Sequence, residues 1–89
     1  MKNENFATRL RMIMNIRGLK QSELSKLTGL DKSLISCYLS GKYEAKQDNL
    51  TLLAKVLNTN EAWLMGYDVP LAIDNSIILS KDIGKYKYK

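Results

Sequence analysis

Residues 29–42 read GLDKSLISCYLSGK. Wound as an α-helix at about 100° per residue, Lys32, Ser33, Ser36, Cys37 and Ser40 share an arc of roughly 140°. Leu34, Ile35, Tyr38 and Leu39 take the opposite side. Asp31 stands where an N-cap carboxylate accepts from the backbone N–H two or three residues on, and Gly41 stands where such a helix stops. The pattern predicts a helix from Lys32 to about Ser40, held by one apolar face. Its other face is narrow and polar, made of small side chains and one cation.

The flanking sequence supplies what that helix would pack against. Phe6, Leu10, Ile13 and Arg17 step at helical intervals with Met14 beside them, which predicts a first helix over about 4–17, capped by Asn3 or Asn5 and ended by Gly18. QSELSKLTG (21–29) follows, with Leu24 and Leu27 on one face and Gly29 as the stop. At about eight residues it is too short to persist without tertiary packing. KYEAKQD (42–48) reads as a polar loop. Leu50, Leu53, Ala54 and Leu57, with Leu52 and Val56 on a second stripe, predict a largely buried fourth helix stopped by Asn58. Asn60 is placed to cap a short fifth helix, EAWLM, ended by Gly66. Trp63 and Leu64 would close the core, and Pro70 breaks the pattern. Residues 1–70 are thus expected to form one all-α domain of five helices. Residues 71–89 are expected to form a tail, a dimerisation segment or a linker, whose apolar SIIL run suits a strand or a docking segment.

Composition narrows the function classes. The chain has 89 residues, enough for one small domain. Cys37 is the only cysteine and histidine is absent, so neither an internal disulfide nor a metal set of Cys and His can be assembled. There is no His to activate a nucleophile, no G-x-x-x-x-G-K-[ST] phosphate loop and no convincing carboxylate pair, which argues against an enzyme and against a bound cofactor. No small-molecule ligand is evident. No segment resembles a signal peptide or approaches the ~20 apolar residues of a membrane span, so a cytoplasmic location is expected.

Charge is distributed unevenly. The net charge is +5. Residues 1–47 hold nine Lys/Arg against four Asp/Glu, whereas residues 48–89 hold five of each. Within that second half, four of the five cations lie in 81–89, where Lys85, Lys87 and Lys89 alternate with Tyr86 and Tyr88. A basic first half points to a polyanionic partner. Tyr38 and Trp63 lie on apolar faces and are read as core rather than as platforms for stacked bases. Arg9 and Arg11 are read as a solvated face of the first helix.

A short helix, a Gly-containing turn and a second helix with an exposed polar face make a helix-turn-helix, whose second helix enters the DNA major groove. That groove is about 12 Å wide and admits one α-helix. The runs Gly18-Leu19-Lys20-Gln21-Ser22-Glu23-Leu24, Ser33 to Lys42, and Leu53-Ala54-Lys55-Val56-Leu57 resemble the Cro/C1-type helix-turn-helix family of the lambdoid repressors. Glu61 to Pro70 is especially similar to repressors of temperate phages and mobile elements in Gram-positive bacteria. The resemblance covers about residues 5–70 and implies a lambda-repressor-like DNA-binding domain.

Carried over by position, the resemblance implies that Lys32, Ser33, Ser36 and Cys37 read bases. Gln21 would brace a phosphate and the reading helix, Lys42 and Lys46 would contact the DNA backbone, and the N–H groups near Asn49 would meet a phosphate. Three positions depart from the family pattern. Lys20 replaces the usual Thr or Ser N-cap, leaving helix two with half a capping box. Met14 and Leu39 replace a buried Arg–Glu pair, which avoids desolvating two charges. Cys37 sits where Arg or Gln is common. The expected function is a sequence-specific regulator of transcription. It would be a repressor that binds a pseudo-palindromic double-stranded operator as a homodimer, with half-sites about one helical turn apart. An antitoxin-like interaction module of the same fold is the alternative.

Overall fold

The computed structural model describes residues 4–71. Over these residues five helices follow one another: α1 (Phe6–Arg17), α2 (Gln21–Thr28), α3 (Lys32–Ser40), α4 (Gln47–Leu57) and α5 (Glu61–Leu64). The expectations placed on 72–89, including the SIIL run and the Lys/Tyr tip, lie outside the described residues.

Each helix begins and ends for a local reason. Asn5 caps α1, its Oδ1 accepting from Thr8 N–H at 2.8 Å, and Gly18 ends it with φ 69°. Asn60 does the same for α5, accepting from Ala62 N–H at 2.8 Å. Helix α2 has the half box expected of it: the Glu23 carboxylate accepts from Lys20 N–H at 2.8 Å, and an ammonium offers no lone pair in return. Helix α1 begins two residues later than expected and α5 ends one residue earlier; two further details differ from the sequence reading. Asp31 occupies the N-cap of α3 but its carboxylate makes no capping bond. Helix α4 starts at Gln47, inside the stretch read as loop. Gln47 and Asp48 are exposed, so no apolar periodicity marks them, although Asp48 in the first turn suits the positive end of the helix.

The core runs along the inner faces of α1, α3, α4 and α5. Phe6, Leu10, Ile13, Leu24, Ile35, Leu53, Leu57 and Leu64 have no exposed surface. Each such side chain, fully buried, is worth about 1.5–3 kcal/mol of transfer free energy, which offsets the ordering of helices too short to stand alone. Helix α2 contributes only Leu24. Leu27, expected beside it, is 59% exposed. Trp63 is buried at 7% exposure and closes the α5 end. The chain then returns across that end: Leu71 carbonyl accepts from Asn60 N–H at 2.8 Å and from Thr59 Oγ1 at 2.6 Å.

Two arginines of α1 tie helices together. Arg9, expected on a solvated face, is 6% exposed. It pairs with Glu4 and donates to Trp63 carbonyl at 2.8 Å. Arg17 closes the C-terminus of α4, donating from Nε to Leu57 carbonyl at 2.8 Å and from Nη2 to Asn58 carbonyl at 2.9 Å. Cations at a helix C-terminus are favoured because its last carbonyls are unpaired and carry partial negative charge.

Candidate nucleic-acid interface

The turn between α2 and α3 sets the angle at which α3 is held out. Gly29 adopts φ 77°, a left-handed conformation in which a Cβ is strained, and its N–H returns to Ser25 carbonyl at 2.8 Å. Two hydroxyls then staple the turn. Ser25 Oγ donates to Leu30 carbonyl at 2.5 Å. Thr28 Oγ1 donates to Leu24 carbonyl at 2.7 Å and accepts from Leu30 N–H at 3.1 Å. Sequence reading assigned neither residue a role. The spacing of Ser25, Thr28 and Gly29 at the end of a short helix was the available signal, since such hydroxyls bond locally to backbone.

Helix α3 divides as its sequence foretells. Ile35 and Tyr38 are buried, at 0% and 3% exposure. Leu34 and Leu39 are half-buried against the core. On the other side Lys32, Ser33, Ser36 and Ser40 are exposed and Cys37 is half-buried. Among the described residues, no side chain bonds to those of Lys32, Ser33 or Ser36. These three side chains therefore keep their donors and acceptors free, whereas Ser40 Oγ donates to Cys37 carbonyl at 3.1 Å. The C-terminal end of α3 is held from behind by Arg11, whose guanidinium donates to Leu39 carbonyl. Arg11 is exposed, as expected, but it braces this helix as well as facing solvent. Met14 and Leu39 line one shallow recess with Arg11, Asn15 and Leu19, where an ion pair would have required desolvating two charges.

The loop after α3 carries the flanking cations. Gly41, at φ 85°, turns the chain. Lys42 N–H and Tyr43 N–H return to Cys37 carbonyl at 2.9 and 3.3 Å. Lys42 and Lys46 are both exposed, and Lys42 Nζ lies 5.6 Å from the centre of the Tyr43 ring. Lys46 is the N-cap of α4 and gives no side-chain cap. The first N–H in the α4 ladder is that of Leu50, bonded to Lys46 carbonyl at 2.8 Å, so the N–H groups of Gln47, Asp48 and Asn49 lie outside the ladder. Such donors suit an anion. The Asn49 side chain, by contrast, is engaged: Nδ2 donates to Tyr38 Oη at 2.9 Å. Gln21 opens α2 and is half-buried. Its side-chain amide makes no hydrogen bond to α3 among the described residues.

Lys32, Ser33, Ser36 and Cys37 thus share one face of one helix, and Lys42 and Lys46 lie on the loop that follows it. Gln21 and the α4 N-terminus belong to neighbouring helices. Among the described residues no group of His, Cys, Asp and Glu is placed to hold a metal ion, and no helix is long and apolar enough to cross a membrane.

Comparison with known proteins agrees with this geometry. A helix-turn-helix family model matches residues 10–64, from the middle of α1 to the end of α5. A solved structure of the restriction-modification controller protein C.AhdI from Aeromonas hydrophila is similar at 32% identity and a TM-score of 0.63. The match covers 66% of this chain and 89% of that one. No curated protein matches the sequence. With the matched family spanning more than half of the chain and the turn and both helices of the motif in place, the protein belongs to the Cro/C1-type helix-turn-helix family of DNA-binding transcription regulators.

Proposed function

We propose that the protein is a sequence-specific repressor of a phage or mobile element. It binds a pseudo-palindromic double-stranded operator as a homodimer in the cytoplasm, with α3 in the major groove. The observation that carries this reading is the two-sidedness of α3: Ile35 and Tyr38 are locked into the core, while Lys32, Ser33 and Ser36 stand exposed on a face of small side chains. Small residues let the helix backbone approach base edges closely, and Lys32 is long enough to reach the O6 and N7 acceptors of guanine. Cys37, half-buried at the edge of that face, fits an apolar contact such as a thymine methyl.

Lys42 and Lys46 supply phosphate contacts that orient the domain without reading sequence. The α4 N–H groups near Asn49 add a further anion contact, and Gln21 adds one from the start of α2. One short helix reads only a few base pairs, so a homodimer doubles the site and imposes two-fold symmetry on the operator. The likeness to C.AhdI, described as a restriction-modification controller protein, supports regulation as the class of function.

Sedimentation of the protein with a duplex carrying its selected site tests the arrangement. Two protomers per duplex, on a sequence with two-fold symmetry, is the expected result. One protomer on an asymmetric site contradicts the dimer. Stable capture of one defined protein, with only weak DNA binding, would favour the antitoxin-like alternative.

A further inference from the structure

Tyr38 holds both ends of the loop that joins α3 to α4. Its carbonyl accepts from Gly41 N–H at 3.2 Å, where the loop starts. Its hydroxyl accepts from Asn49 Nδ2 at 2.9 Å, where the loop has become the first turn of α4. The ring between these atoms is 3% exposed and stands edge-on to Phe6, with centroids 5.4 Å apart and planes at 79°. Ala45, midway along the loop, is buried at 7% exposure. Beside this closure lies a groove of about 480 Å³ whose lining includes Tyr38, Lys42, Lys46 and Asn49.

We infer that Tyr38 and Asn49 form a positioning pair that fixes Lys42, Lys46 and the α4 N-terminus relative to the reading face of α3, and so sets sequence discrimination. The inference rests on the DNA-reading role proposed for α3. The physical logic is one of register. Phosphate contacts from the loop fix how α3 sits in the groove, and base contacts gain from that placement only if loop and helix keep one mutual geometry. A buried ring holds α3 fixed in the core. The Asn49 amide transmits that fixed point to the far end of the loop. Asn49 thereby acts through Tyr38, and its side chain is a positioning group while its backbone remains free for phosphate.

The test compares wild type with Tyr38→Phe, Asn49→Ala and the double variant. Binding is measured on the duplex selected by wild type and on the same duplex with one base pair of the half-site changed. Tyr38→Phe keeps the ring in the core, and Asn49→Ala keeps a good helix former, so both variants should fold. The expected result is a loss of about three- to tenfold in the ratio of the two affinities, a range typical of one hydrogen bond. The double variant should lose no more than either single one. For Tyr38→Phe, affinity for random duplex and its salt dependence should stay as in wild type, because both lysines remain. An unchanged ratio, with melting temperature alone reduced, would overturn the positioning role and leave the function reading intact. Failure of wild type to select any sequence would overturn the function reading and the inference together.

Discussion

The Arg9 guanidinium lies 4.4 Å from the centre of the Trp63 ring and donates to the Trp63 carbonyl at 2.8 Å, so one side chain of α1 holds both the face and the backbone of α5. Glu4 pairs with the same guanidinium. Hydrogen bonds to a charged donor and a desolvated cation–π contact are each worth about 1–3 kcal/mol. Arg9→Ala should therefore cost about 2–3 kcal/mol, read as a drop in melting temperature of roughly 10 °C or more for a domain of this size. Arg9→Lys should recover less than half, because an ammonium cannot reproduce the planar fork. DNA sequence preference should be unchanged. A near-neutral Arg9→Ala would mean that α5 is held by apolar packing alone.

Gly29 turns the chain between α2 and α3 with φ 77°, and, its own atoms and its two chain neighbours apart, nothing lies within 4 Å of where a Cβ would stand. The cost of Gly29→Ala is then purely that of the left-handed backbone, about 1–2 kcal/mol. Gly29→Asn should cost less, since asparagine tolerates this conformation better. Chemical denaturation resolves the difference. Equal losses for the two variants would place the cost elsewhere than in the backbone.

How far these features could be read from residues alone follows their physical range. The span of α3 was legible to the residue, because the polar and apolar arcs and Gly41 all act within one helix. The burial of Tyr38 and Trp63 was legible for the same reason. Arg9 was not: its partners are Trp63, 54 positions away, and Glu4, and helical spacing alone cannot tell a buried arginine from a solvated one. The start of α4 was missed because Gln47 and Asp48 are polar and exposed. Asn49 lies in the first turn of α4, but its bond to Tyr38 is a tertiary contact that no spacing rule announces.

Lys42 and Lys46 are expected to act on phosphates. Each lysine-to-alanine change should weaken binding to every duplex alike and reduce the log–log salt slope by about 0.9 on B-DNA. Titrations between low and physiological salt measure this directly. A slope that does not move would remove that lysine from the phosphate interface.

Lys32 should behave differently. If its ammonium reads guanine, Lys32→Ala should cost about 1–3 kcal/mol at one base pair of each half-site and relax preference there alone. Affinities for a set of single-base variants of the site decide the matter. Uniform weakening across the set would assign Lys32 to a phosphate instead.

The central claim is that α3 reads sequence from two-fold-related half-sites. Selection from a randomised duplex library at ~150 mM salt, near physiological ionic strength, tests it most directly. Sequencing of the bound pool should return an enriched motif with two-fold symmetry, its halves about one helical turn apart. A pool without enrichment, with binding that vanishes as salt rises, would show that the positive charge acts only electrostatically and would contradict sequence-specific reading by this helix.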